Sequence, residues 1–279
     1  MAARVAVVIV SWNVRDDLRR CLESVVRDEP RSTIVVVDNA SRDGSVAMVR
    51  DEFPAVEVIE NSENAGFSVA NNQALRQLGA LGTGGAPMPV EYVLLLNPDT
   101  VVQTGAIGTL LGFLDANPGV GLAAPQLLYS DGTVQPTRRR FPSLATGFFE
   151  STWFQPLTPH RLLDHYYARD LPDDAIGEVD WVVGAALLVR REAYEQVGGF
   201  DEGYFMYSEE LDWCGRIRAA GWKIQYVPDA KVVHLEGKSS RQVVGARAVS
   251  FQRSRLKYAR SHFGQLAEAV VRGSLVLQY

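Results

Sequence analysis

The chain has 279 residues, 47% of them hydrophobic and 22% charged. That composition excludes a disordered or collagen-like chain and leaves room for one large α/β domain or two tightly joined halves. A formal net charge of −5 argues against whole-body attraction to nucleic acid, and no nucleic-acid partner is expected. Cys21 and Cys214 are the only cysteines, which excludes a disulfide framework and fits a reducing compartment, the cytoplasm. The apolar runs Val5–Val10 and Val182–Val189 fall far short of the roughly 20 residues of a membrane span. Trp12, Asn13, Arg15, Asp16 and Asp17 stand where a signal peptide would carry small residues.

In chain order, Val5–Ser11 is a continuous apolar run, the pattern of a parallel strand buried on both faces. Val14–Arg27 follows as a helix with Leu18, Cys21, Leu22 and Val25 on one face. Thr33–Val37 is a second buried strand ending at Asp38, Ser45–Glu52 a short helix closed by Pro54, and Val56–Ile59 a third strand. Phe67–Leu78 reads as a helix, Leu81–Pro89 as a Gly/Pro-rich loop, and Tyr92–Leu96 as a fourth strand with Asn97-Pro98-Asp99 beyond it. This alternation predicts a doubly wound sheet with helices on both faces, with ligands at the carboxyl ends of its strands.

The second half is less regular. A helix is expected near Gly105–Ala116, a strand near Gly121–Ala124, and a hairpin over Leu127–Gln135 around Asp131-Gly132. Arg138–Asp170 is rich in aromatic residues without a period. Val182–Val189 is a buried strand, Glu209–Ala220 a helix ended by Gly221, and Ile224–Val227 and Val232–His234 two short strands. One last helix is expected from Val243 to Phe263 and on toward Val270, with Val249, Leu256, Phe263 and Val270 at heptad spacing. From Gly237 onward eight Lys and Arg face Glu268 alone, a net +7 on the tail against −12 on the residues before it.

No G-x-G-x-x-G or Walker A string follows the first strand, so the phosphates of a nucleotide must be neutralised otherwise. Asp99 at a strand end is a hard-oxygen donor suited to Mg²⁺ or Mn²⁺. Asp38 at another strand end can accept the imide N–H of uracil or thymine. The asparagines of Asn61–Asn72 suit sugar or ribose contacts. Glu209, Glu210 and Asp212 at a helix start either stabilise the helix dipole or supply a general base. His234 is a borderline metal ligand when it lies near Asp99.

In their order, VVIVSWN (7–13), VVDNASRDGS (36–45), NSENAGFSVANN (61–72), LLLNPDT (94–100), the long string 181–222 and the His234 region resemble the family 2 glycosyltransferases of the GT-A fold. The branch is the one that includes bacterial rhamnosyltransferases, and the resemblance spans about residues 6–263. It implies a mixed sheet in a catalytic domain over 1–240, with a nucleotide-sugar-binding half (1–100), an acceptor-binding and catalytic half (101–240), and a basic helical extension (241–279). Ser11, Asn13, Asp38, Asn64, Gly66, Phe67, Asn97 and Lys238 fall at its donor positions. Asp99 and His234 fall at its Mn²⁺ or Mg²⁺ positions, with Asn97 replacing the first carboxylate of the D-x-D signature. Glu210 takes the place of the catalytic base, with Glu209 and Asp212 beside it. Trp181, Gly184 and Ala185 fall at its acceptor-side strand.

The resemblance further implies a metal-dependent inverting transfer of a sugar, dTDP-rhamnose or a UDP-sugar being the donor. The acceptor would be a hydroxyl of a glycan or a polyprenyl-diphosphate-linked sugar in cell-envelope synthesis. The basic tail is a candidate contact to an anionic membrane on its inner face, or to a second copy of the chain. The competing expectation is a catalytically silent sugar-nucleotide-binding or scaffold protein on the same fold.

Overall fold

The computed structural model describes residues 4–79, 90–149, 156, 158–235 and 244–278. The first half runs β1 (Val5–Ser11), α1 (Arg15–Asp28), β2 (Thr33–Asp38), α2 (Ser45–Glu52), β3 (Glu57–Glu60), α3 (Phe67–Gln77) and β4 (Tyr92–Leu96). Strand β1 is parallel to β2 on one side and to β4 on the other, and β2 is parallel to β3. Every residue of β1 is buried because alternate side chains feed opposite layers. Val5, Val7 and Ile9 meet Leu18, Leu22 and Val25 of α1, whereas Ala6, Val8 and Val10 share a layer with Ala70, Ala74 and Leu75 of α3.

The second half adds β5 (Thr100–Val102), α4 (Ala106–Ala116), β6 (Val120–Leu128), β7 (Arg138–Arg139), α5 (Leu144–Phe149), α6 (His160–Tyr166), β8 (Gly177–Val179), β9 (Trp181–Val182), β10 (Ala186–Arg190), α7 (Arg191–Val197), α8 (Glu209–Ala219) and β11 (Lys223–His234). Two helices, α9 (Val244–Phe263) and α10 (Gln265–Gln278), follow. The main sheet has the order β3-β2-β1-β4-β10-β6-β11-β5, with β8 on β11; β7 and β9 form a separate pair. Strand β10 is antiparallel to both β4 and β6, so the sheet is mixed, as expected.

Three expectations change. The apolar run 182–189 is broken at Val183–Ala185: Trp181–Val182 pairs with β7, and only the part from Ala186 enters the main sheet. Ile224–Val227 and Val232–His234 are one strand with an irregularity between Val227 and Lys231. Pro228, which has no N–H to give a ladder, lies within it. The last helix is two. Gly264 turns the chain at φ +88°, and Ala259, Val271 and Leu275 pack the two helices together. Val249 and Val270 are left about half exposed, whereas Leu256 packs against the helix pair and Phe263 against Tyr258, so the heptad is not a single packed face. Among the described residues no helix is long and apolar enough to cross a membrane.

Candidate active site

The carboxyl ends of β1, β2 and β4 meet at one edge of the sheet. Ser11 and Asp38 are in register there. The Ser11 hydroxyl and Asp38 Oδ1 are buried without a hydrogen-bond partner among the described residues. Asp38 Oδ2 accepts the Ser41 N–H at 2.8 Å, so one carboxylate oxygen shapes the turn while the other is left without a partner among the described residues. Asn13, at φ 52°, accepts the Arg42 N–H at 2.7 Å and donates its own N–H to Ser41 Oγ at 2.9 Å. These bonds join the β1 and β2 loops.

Asn64 Oδ1 accepts the Gly66 N–H at 3.0 Å. Gly66 has φ 86° and ψ 171°, a region essentially restricted to glycine. A Cβ there would lie 2.6 Å from the Phe205 carbonyl oxygen, which accepts the Phe67 N–H at 2.7 Å. The asparagines expected to meet a sugar are in part spent on the fold. Asn71 bonds the Phe67 carbonyl oxygen, and Asn72 clamps Phe200 through its N–H at 2.9 Å and its carbonyl oxygen at 2.8 Å.

Beyond β4, Asn97 donates its N–H to the Ala185 carbonyl oxygen at 2.9 Å, and Leu235 donates to that of Asp99 at 2.9 Å. Buried Asp99 and His234 are thereby brought together, with Oδ1 3.4 Å from Nε2. Among the described residues no third His, Cys, Asp or Glu joins them as a metal cluster. Lys238 lies outside the described residues.

Glu209 and Glu210 open α8. The two residues before them, Tyr207 and Ser208, have φ 73° and 66°, left-handed conformations that cost roughly 1–3 kcal/mol each. Burial first, then the charge of Glu210, pushes the Glu209 carboxyl well above its ordinary range. Burial also raises Glu210, while backbone N–H groups, that of Gly184 included, and the charge of Arg139 restrain the rise. One oxygen of each carboxyl has no partner among the described residues. The missing side chain of Gly184 makes room for Glu210, whose Cβ and Cγ lie 3.4 Å from where a Cβ would stand. Asp212 is engaged instead, by Arg216 at 3.0 Å and His262 at 3.2 Å. Burial pushes both thiols, Cys21 and Cys214, up to about 12, so neither is a nucleophile at neutral pH.

Glu210 forms part of the wall of a cavity of about 230 Å³, with Arg139, Trp181, Tyr207, Arg255 and Tyr258 around it. The sequence pattern marked neither Arg139 nor the share of α9 in this wall. The α9 side is fixed by the Lys257–Asp201 ion pair at 2.7 Å and by Ser254 donating to the Met206 carbonyl oxygen at 2.8 Å.

The mixed sheet, with polar residues at the carboxyl ends of its parallel strands, has the GT-A fold. The chain is structurally similar to a mannosyltransferase from Pyrobaculum calidifontis solved with GDP-Man and Mn²⁺. The TM-score is 0.61 at 18% identity, over 99% of this chain and 75% of that one. A family model described as glycosyltransferase like family 2 matches residues 2–249. The chain belongs to this family and is a glycosyltransferase. It is 34% identical to the N-acetylglucosaminyl-diphospho-decaprenol L-rhamnosyltransferase of Mycobacterium tuberculosis over 84% of its own length and 76% of that protein. It is 26% identical to the rhamnosyltransferase WbbL of Escherichia coli K12, over 85% of each chain.

Proposed function

We propose that this glycosyltransferase is metal-dependent and inverting, with Glu210 as the general base. It moves a sugar, rhamnose first among the candidates, from a nucleoside-diphosphate donor to a hydroxyl of a glycan or lipid-diphosphate-linked acceptor. The observation that carries the reading is the Glu210 carboxyl, set in the cavity wall with an unpartnered oxygen. The names of the two rhamnosyltransferase relatives support the choice of sugar, and the name of the mycobacterial one supports the acceptor.

In this reading Ser11 and Asp38 receive the base of the donor through their unpartnered oxygens. Asn13, Asn64, Gly66 and Phe67 hold the loops that frame it, and Asn97 turns the chain into Asp99. The acceptor lies against Trp181, Gly184 and Ala185. Its hydroxyl gives its proton to Glu210 while its oxygen attacks the anomeric carbon. The bond from that carbon to the diphosphate oxygen breaks, and its electron pair leaves with the diphosphate. One displacement inverts the centre, so a single base suffices, unlike the two carboxylates of a glycosidase. Burial and the charge of Glu210 push the Glu209 carboxyl well above its ordinary range, which disfavours a second negative charge beside the reacting hydroxyl.

Asp99 and His234 fit a divalent cation: a carboxylate oxygen and an imidazole nitrogen converge at 3.4 Å, a donor set that suits Mn²⁺. The cation would neutralise charge growing on the leaving diphosphate. The division into donor half 1–100, acceptor half 101–240 and extension 241–279 follows the same reading, with α9 and α10 completing the acceptor cavity. Leu266 is 80% exposed and Val270 51%, while Arg260 and Arg272 pair with Glu268. The exposed apolar residues and the net positive charge of the tail support contact with an anionic bilayer at the inner side of the membrane.

The test is thermal stabilisation by UDP, dTDP and GDP, each with and without Mn²⁺. Ligand at about 100 times its Kd adds roughly 2.7 kcal/mol. A Mn²⁺-dependent shift with dTDP or UDP that is lost in Asp99→Ala is expected. An unchanged shift in that variant would remove the metal assignment. Flotation with anionic vesicles at low salt checks the membrane contact, and failure of the intact chain to float counts against it.

A further inference from the structure

Gln135 is 96% buried and belongs to none of the motifs above. The hairpin after β6 delivers it: Leu128 bridges Val134, and Gln135 donates its backbone N–H to the Leu127 carbonyl oxygen at 2.8 Å. Its side chain reaches the end of β11 with both amide ends engaged on His234. Gln135 Nε2 donates to the His234 carbonyl oxygen at 2.8 Å. A carbonyl oxygen can only accept, so chemistry fixes which end of the amide faces it. Gln135 Oε1 is then the atom 3.0 Å from His234 Nδ1. An amide oxygen carries no proton, so the proton of this bond sits on Nδ1. In the neutral ring Nε2 is left as a bare lone pair, aimed at Asp99 Oδ1.

We propose that Gln135 is a positioning residue that locks His234 in the tautomer whose bare Nε2 faces Asp99, and so builds a cation seat from the pair. This rests on the metal reading above. A lone pair and a carboxylate oxygen held face to face inside the protein repel unless a positive charge lies between them. Without the amide, the ring could carry its proton on Nε2, donate it toward Asp99 Oδ1 and close the seat. Outer partners of this kind set ring orientation and typically govern metal affinity by about 10- to 100-fold.

The experiment uses the full chain and two variants, Gln135→Leu and Gln135→Glu, with folding checked by melting temperature. Leu removes both bonds. Glu keeps an oxygen for the Nδ1 proton but replaces the donor to the backbone with a carboxylate oxygen and its charge. Long-range imidazole ¹⁵N correlations at pH 8 read the tautomer directly; four histidines are present, and the His234 signals are those lost in His234→Gln. Mn²⁺ binding is titrated by electron paramagnetic resonance with dTDP or UDP present, so that no turnover is needed.

The wild-type protein is expected to carry its proton on Nδ1. Gln135→Leu should gain an Nε2–H population and bind Mn²⁺ about 10- to 100-fold more weakly, while Gln135→Glu keeps the tautomer and stays within a few-fold. A wild-type Nε2–H, or Gln135→Leu with an unchanged tautomer and Mn²⁺ affinity, overturns the proposal. So does equal weakening in both variants, which marks the amide as a purely structural tie. Folded wild-type protein that binds no Mn²⁺ overturns the metal reading as well. Binding abolished by Asp99→Ala and His234→Gln but indifferent to Gln135→Leu overturns this proposal alone.

Discussion

On the proposed donor side, the loops after β1, β2 and β3 satisfy one another. Asn13 meets Ser41 and Arg42, Asp38 meets Ser41, Asn61 meets Asn39 and Gln73, and Asn64 meets Gly66. The proposed catalytic side is built otherwise. The segment from Phe200 to Ser208 borrows its contacts from afar: Asn72 and Phe67 of α3 on one flank, Ser254 and Lys257 of α9 on the other. It ends in two left-handed residues immediately before Glu209. Short reciprocal bonds make the proposed donor edge a preformed frame, with a Ser11 and an Asp38 oxygen left without a partner among the described residues. Long-range clamps hold a strained turn so that Glu210 faces the cavity. Substitutions on the donor side should therefore act locally. Those at the clamps should reach the catalytic carboxylate from a distance.

The largest effect should come from the carboxylate itself. Glu210→Gln is expected to lower kcat about 10²–10⁴-fold, equivalent to roughly 3–5 kcal/mol, with nucleotide binding unchanged in the thermal-shift assay. Full activity in this variant and loss in Glu209→Gln would exchange their roles. Because burial raises the Glu210 carboxyl and a base must be ionised, the acid limb of kcat/KM should lie above the ordinary carboxylate range and vanish in the variant.

Next is Gly66→Ala. The glycine-only conformation and the overlap with the Phe205 carbonyl oxygen should cost about 2–4 kcal/mol together, read by urea unfolding. Turnover should fall too, since Phe205 leads into the catalytic turn. Asn72→Ala removes both clamps on Phe200 and should cost about 1–3 kcal/mol, lowering kcat while sparing nucleotide affinity. Asp38→Ala should do the reverse, weakening nucleotide binding with little change in kcat at saturating donor. If the two variants behave alike, the contrast between the two sides fails.

The smallest effect has a definite sign. The Glu209 carboxyl is raised in the folded protein, so between its unfolded value near 4.5 and its folded value the native state holds the extra proton. Stability then falls as pH rises through that window. Glu209→Gln should match the wild type below about pH 4.5 and exceed it increasingly above. Melting temperatures from pH 4 to 8 measure this, and parallel curves would refute it.

Much of the first half was legible because strands buried on both faces are continuous apolar runs, and the helices between them are amphipathic. β1, β2 and β4 fell where expected, and α1 and α3 within a residue of it. The later elements were less legible. A run such as 182–189 looks like one strand when read by hydropathy, yet Val183–Ala185 leave the sheet and set Gly184 under Glu210. The unpartnered oxygens of Ser11 and Asp38 could not be told from turn-forming ones, since Ser and Asp build turns as readily as they bind ligands.

Local pattern determined the α/β alternation, the polar strand ends and the order of the family's motifs, because these depend on residues near in sequence. The pairing of Asp99 with His234, the tie from Gln135, the strained approach to Glu209 and the α9 wall of the cavity join residues from about 45 to 140 positions apart. Only the folded chain decides those contacts. Burial and hydrogen-bond geometry, which fix a proton on one atom or leave an oxygen bare, arise from what packs around a residue.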